Sequence, residues 1–223
     1  MRQKTSGERQ RSSRVRQKRE QARHQILQAA RDILREGGVE AVTLASVAGV
    51  LGMTKQALYH YFPSKEALIR SLVTSFIDDE VETLVTAIEA ADSGRNTLGT
   101  LIRAFYDHYI NSLDAFRTVY CQSQLYSGPT PGMDEETIRD EINPRMQHLF
   151  KTLETRLTNR SLSKSKRERM RRLAFTAWTS ALGLVTMLGV ADAVNDPLLH
   201  ADKDLLNTLA TVFDDAAIQL DKG

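Results

Sequence analysis

The chain has 223 residues, 30 of them Lys or Arg, 28 Asp or Glu, and one cysteine, Cys121. A lone cysteine excludes an intramolecular disulfide and fits a reducing compartment, and the length allows one or two domains with a substantial core. The formal charge of +2 hides an asymmetry: residues 1–23 carry nine basic side chains against Glu8 and Glu20, leaving 21 basic and 26 acidic on the remainder. A basic arm on a mildly acidic body points to a polyanionic partner, and no apolar run follows those charges as a signal peptide would need.

Residues 1–19 read as a flexible basic arm. Beyond it the apolar spacing is helical throughout, with no β-type alternation and no internal repeat. Ile26, Ala29, Ala30, Ile33 and Leu34 form the stripe of a first helix that Gly37-Gly38 stops. Thr43 caps a second short helix carrying Leu44, Val47, Ala48 and Leu51 and ending at Gly52. Thr54 caps a third, from Lys55 to about Tyr61, before Pro63 blocks continuation. A long fourth helix runs from about Ser64 to Ala91, on the order of 40 Å at 1.5 Å per residue. Later helices are expected near 97–113, 115–126, 134–160, 164–193 and 202–220. Asn143-Pro144 either kinks the 134–160 segment or starts a new helix there.

Two helices of about eight residues, separated by a short turn containing Gly52, have the spacing of a helix-turn-helix. The second helix of that motif enters the DNA major groove while the first supports it across the backbone. Lys55 and Gln56 suit guanine and adenine edges, and Ala57 a thymine methyl. Thr54, Tyr59 and His60 are placed as phosphate donors, which set register without reading sequence. Lys65 puts a cation at the positive end of the fourth helix dipole, a conflict that a DNA phosphate at that helix terminus would resolve. Arg19 and Arg23, in and just after the arm, are further candidates for DNA contact.

The run T43-L-A-S-V-A-G-V-L-G-M-T-K-Q-A-L-Y-H-Y-F-P-S-K-E-A-L68 resembles the TetR family of bacterial helix-turn-helix regulators, and the likeness is sharp over residues 20–70. The resemblance implies that Thr43, Thr54, Tyr59, His60 and Lys65 hold phosphates while Lys55, Gln56 and Ala57 face bases. Gly49 departs from the long polar residue usual in the supporting helix, and Ala45 has no donor.

The segment LAFTAWTSALGLVTMLGVA, 173–191, is nineteen residues without a charge. Its Thr and Ser residues, two glycines and lack of a second such segment favour a buried bundle helix over a membrane span. This helix and the one near 202–220 look like the family's dimerising pair. Dimerisation would give a two-fold reader of a palindromic operator. Between the DNA-reading unit and these helices lie Phe105, Tyr106, His108, Tyr109, Tyr120, Gln124 and Phe150, with Trp178 facing them. Together they suit a mostly apolar effector cavity with a few orienting donors. No Gly-rich phosphate loop, nucleophile elbow, HExxH or CxxC motif is present, and His108 and His148 lack partners at metal-ligand spacing.

The expectation is an all-α chain: an N-terminal three-helix helix-turn-helix domain over 20–70 and a larger effector-binding and dimerisation domain over 71–223. It would be a cytoplasmic, homodimeric repressor released from double-stranded DNA by a small apolar effector, with no metal, no cofactor and no enzymatic activity. The alternatives are an activator or ligand-dependent binder of the same fold, and a sequence-indifferent architectural DNA-binding protein driven by the arm.

Overall fold

A computed structural model describes residues 6–91, 94–121, 133–158, 163–194 and 202–222. Gln124, one of the expected effector residues, lies outside them. The described residues are helical with no strand, in the order α1 (Ser6–Ala41), α2 (Leu44–Val50), α3 (Lys55–Tyr59), α4 (Lys65–Ala90), α5 (Thr97–Tyr109), α6 (Leu113–Phe116), α7 (Glu135–Thr137), α8 (Asn143–Leu157), α9 (Lys164–Val194) and α10 (Asp202–Lys222).

Three hydroxyl caps set the head. Thr43 accepts the Ser46 amide at 3.0 Å and Ser46 Oγ accepts the Thr43 amide at 3.0 Å, a reciprocal capping box. Thr54 and Ser64 accept the amides of Ala57 and Ala67, each at 3.1 Å, and so start α3 and α4. Left-handed glycines punctuate the same region. Gly38, at φ 71°, breaks the helical path near the end of α1, and Gly52, at φ 62°, turns the chain from α2 to α3. Ile26, Ala30, Leu34, Val47, Leu58 and Phe62 form the core beneath these turns.

Helix α4 belongs to head and body at once, so a boundary at residue 70 falls inside a continuous helix. Two arginines of α1 fasten the head to it. Arg23 donates to Ser71 Oγ of α4 at 3.4 Å and to the Tyr61 carbonyl at 2.9 Å, and lies 4.5 Å over the Phe62 ring. Arg31 pairs with Asp79 at 2.6 Å, donates to Ser75 Oγ at 2.9 Å and lies 4.7 Å over Phe76. In the body, Arg145 grips Asp78 of α4 at 2.6 and 3.1 Å. Asp214 of α10 caps α5 by accepting the Gly99 amide at 2.8 Å.

Several elements differ from the sequence reading. The expected flexible arm is helical from Ser6, where α1 begins. The stretch after Gly7 has no helix breaker and is rich in Arg, Gln, Lys and Glu, all good helix formers, while residues 13–20 stay exposed. The helix expected over 115–126 is α6 running into a π-helical segment, Arg117–Cys121. The 134–160 segment is helical over 135–157, with a π-helical segment, Ile138–Ile142, immediately before Pro144. Pro144 has no N–H to donate and sits in the first turn of α8, which begins at Asn143 directly after the π-helical segment, without a side-chain cap.

Helix α9 is long and apolar enough to cross a membrane by length and composition. Ala174, Ala177, Ala181, Val185 and Leu188 bury one of its faces in the bundle, while Phe175, Met187 and Val190 are exposed on the rest.

The two helix-turn-helix glycines give opposite expectations. Gly49 lies within α2, where an added Cβ meets nothing within 4 Å, so Gly49→Ala should stabilise by about 0.5–1 kcal/mol through helix propensity. Gly52→Ala forces an L-residue into the left-handed region and should cost about 1 kcal/mol or more. Urea unfolding of both variants checks this; the same sign for both would contradict the assignment of the turn.

Candidate DNA-binding interface and sensor core

The caps and core of the head leave one side of α3 facing solvent. Leu58 points inward and is fully buried, while Lys55, Gln56, Tyr59 and His60 are exposed and line one shallow surface concavity. Lys55 Nζ lies 5.8 Å over the Tyr59 ring, which carries the cation across the outer face of the helix. Thr54 is exposed at the start of α3 and Ala57 is half-buried beside it. Four of the expected residues thus meet on one surface with Thr54 at its edge.

The flanking residues are differently engaged. The Thr43 oxygen serves the capping box, and its hydroxyl donates to Ser46 Oγ at 3.0 Å, so a phosphate would have to draw that proton away. Lys65 has a protein partner, Glu40, at 3.7 Å, with both side chains substantially exposed. An exposed pair of that length contributes little and yields readily to a phosphate. Beside it, the Glu66 carboxyl is held below the usual range by its own backbone N–H and the Ser64 hydroxyl, with Lys65 adding to the effect. Arg19 is exposed on α1. The guanidinium of Arg23, expected on DNA, is turned onto Tyr61, Phe62 and Ser71. On α2 the outward side chains are Ala45, Gly49 and Val50, so that face offers no side-chain donor.

The body holds a group that the sequence reading passed over. Glu80 of α4 is fully buried. Its Oε2 accepts the hydroxyls of Tyr109 and Tyr120, each at 2.6 Å, and its Oε1 the indole N–H of Trp178 at 3.4 Å. Tyr109 ends α5, Tyr120 sits in the π-helical segment and Trp178 is on α9, so one carboxyl ties α4 to three other elements. Its signal was legible: position 80 falls on the apolar stripe between Phe76-Ile77 and Val81-Leu84, where a carboxyl must be buried. Burial raises the Glu80 pKa against the pull of its three donors, and burial with the nearby Glu80 charge puts both tyrosines well above their ordinary value.

Around this carboxyl Phe105, Tyr109, Phe116 and Tyr120 pack with centroids 5.1–6.4 Å apart, and Trp178 continues the cluster to Phe150 and Phe175. Five of the expected effector residues therefore meet, as packed rings, with Phe105 and Tyr109 fully buried. Tyr106 points elsewhere and donates to Asp202 of α10 at 3.1 Å. His108 stacks edge-on against Tyr109, 4.6 Å between centroids, and burial lowers its pKa. Among the described residues no group of three or more metal-ligating side chains comes together.

An exposed polar face on a capped helix-turn-helix is thus joined through α4 to an all-helical body. Residues 26–72 match the family model for bacterial regulatory proteins of the tetR family. A transcriptional repressor of Rhodococcus jostii, KstR2, is 28% identical over 121 residues, covering 54% of this chain and 57% of the relative. The transcriptional regulator BetI of Rhizobium meliloti is 30% identical over 74 residues, 33% of this chain and 36% of that one. The matched stretches thus span about half the length of these relatives or less. In fold, a TetR/AcrR-family regulator from Thermobifida fusca superposes with a TM-score of 0.63 at 20% identity, over 87% of this chain and 97% of that one.

The raised pKa of Glu80 makes a signed prediction. Native Glu80 keeps its proton to higher pH than the unfolded chain does, whose carboxyl has the ordinary value near 4.5. The stability this group contributes is full below the unfolded pKa and is lost as pH rises through the folded one. Glu80→Gln removes that loss, so the stability of the variant relative to the parent should rise with pH from about 4.5 upward. Denaturant unfolding across that range checks it, and a pH-independent difference would mean that Glu80 titrates normally.

Proposed function

We propose that the chain is an effector-responsive transcriptional repressor that binds a palindromic operator as a homodimer. The observation that carries the reading is the recognition face, with Lys55, Gln56, Tyr59 and His60 turned outward on a helix whose other side is locked in the core. Lys55, Gln56 and Ala57 would meet base edges, and Thr54, Tyr59, His60 and Lys65 the phosphates, with Thr43 and Arg19 at the margin. A helix of five residues reads few base pairs, so discrimination requires a second copy.

The exposed side of α9, with Thr176, Thr179, Gly183, Met187 and Val190, joins Val212 of α10 in an apolar face of small side chains suited to close packing against a second copy. A small effector acting on the body would reach the head through α4, and release of the operator needs only about 1–3 kcal/mol of coupling. The site of action is the bacterial cytoplasm, where the operator lies, and the chain has no catalytic role. A second reading, a sequence-indifferent DNA-coating protein, is favoured by one feature alone, the basic and exposed start of α1.

Selection of bound DNA from a random pool at physiological salt separates the two, using the full chain and a chain lacking residues 1–18. A palindrome recovered in both cases is the expected result; binding without consensus, or lost with the arm, supports the second reading. On the recovered operator, Gln56→Ala should cost about 1–3 kcal/mol and relax one base position. Lys65→Ala should weaken all sequences alike and make the salt dependence shallower by roughly one phosphate; an unchanged slope would leave Lys65 as the partner of Glu40 alone.

A further inference from the structure

An open cavity lies away from the aromatic core, at the joint between head and body. It has a volume of about 660 Å³, within the range of small-molecule sites. Three bodies wall it. Leu34, Arg35, Gly38 and Val39 come from the end of α1, Leu113, Asp114, Phe116, Arg117, Thr118 and Cys121 from α6 and its π-helical continuation, and Val185, Thr186, Gly189 and Val190 from α9. Most of its surface is apolar, and its hydroxyls are spent within their own helices: Thr118 donates to the Asp114 carbonyl at 2.7 Å and Thr186 to the Leu182 carbonyl at 2.8 Å.

The charged groups on the walls are Arg35, Asp114 and Arg117. Arg35 is paired with Asp32 at 3.2 Å. The guanidinium of Arg117 makes no hydrogen bond or ion pair among the described residues, although Asp114 stands three residues before it on the same helical segment. The net charge of the lining is positive, and the guanidinium of Arg117 is the donor left to meet an occupant. Cys121, the sole cysteine, lines the same space.

We infer that this joint is a binding site for a small amphipathic monocarboxylate, its apolar chain against Leu34, Phe116 and Val185 and its carboxylate on Arg117. The inference rests on the repressor reading for its consequence and on the cavity for its chemistry. The π-helical segment makes the consequence mechanical. Arg117, Thr118 and Cys121 face the cavity, while Tyr120 of the same segment donates to Glu80 at 2.6 Å. Because Arg23 and Arg31 fasten α1 to α4, an occupant that parts α1 from this segment displaces the head as a unit and disturbs the Glu80 cluster.

The full-length protein reports on the site without a label. Decanoate, decanol and decyltrimethylammonium are titrated while the alkylation rate of Cys121 and the emission of Trp178, the sole tryptophan, are followed. Decanoate should protect Cys121 and change Trp178 emission in parallel, with the neutral and cationic probes at least about tenfold weaker, as a charge-assisted hydrogen bond requires. Arg117→Gln should weaken decanoate by a similar factor, Arg117→Lys less, and neither should change decanol. The inference is overturned if decanoate fails to bind, if it binds without protecting Cys121, or if the three probes are equivalent and Arg117→Gln has no effect.

Operator affinity measured in the same titration should fall about fivefold or more on saturation. Protection of Cys121 together with unchanged affinity for a proven operator would overturn the regulatory consequence. Protection in a protein that selects no operator would overturn the repressor reading and leave the site standing.

Discussion

A single carboxyl in the middle of α4 sets the terms for the rest of the structure. Glu80 is buried without a cationic partner, and a carboxyl in that position is tolerable only when donors surround it. Tyr109, Tyr120 and Trp178 supply them from three different elements. The geometry they need fixes how α5, the π-helical segment and α9 pack around α4. An apolar residue at this position would fill the space but would not specify one arrangement of four elements so narrowly.

The same helix carries the head. Arg23 and Arg31 reach from α1 to the near half of α4, and the Glu80 cluster grips the middle, so the attitude of the recognition helix depends on where α4 sits in the body. Nothing in this arrangement requires a flexible hinge. Two rigid pieces share one helix, and a small rotation of that helix in the body becomes a displacement of α3. The π-helical segment meets the joint cavity through Arg117, Thr118 and Cys121 and the polar cluster through Tyr120.

Much of the head could be read from sequence because its signals are local. Thr43, Thr54 and Ser64 are caps that act on amides three residues away, and Gly38 and Gly52 are required where the backbone turns left-handed, so α2, α3 and the start of α4 fall where expected. The charge of Arg23 is visible in sequence, whereas its partners, the Tyr61 carbonyl and the Phe62 ring, lie far along the chain. The aromatic residues of the body were recognised as a set, but composition does not reveal whether rings enclose space or fill it. Phe105, Tyr109 and Phe116 fill it, and the open volume falls at a joint between elements distant in sequence. The π-helical segment at Arg117–Cys121 escaped notice for a related reason: it is set by where Tyr120 must reach.

The central claim is that the Glu80 cluster sets the position of the recognition helices in a two-fold dimer. It is tested most directly by a spin label at Val50, an exposed position on α2, in a chain whose only native cysteine is replaced, with and without Glu80→Gln. The account predicts a narrow intersubunit distance distribution that is unchanged by operator and compatible with half-sites one helical turn apart, about 34–36 Å. It also predicts that Glu80→Gln broadens or shifts this distribution while the protein remains folded and dimeric. An unaltered distribution in the variant, or the absence of any intersubunit distance in the parent protein, would contradict it.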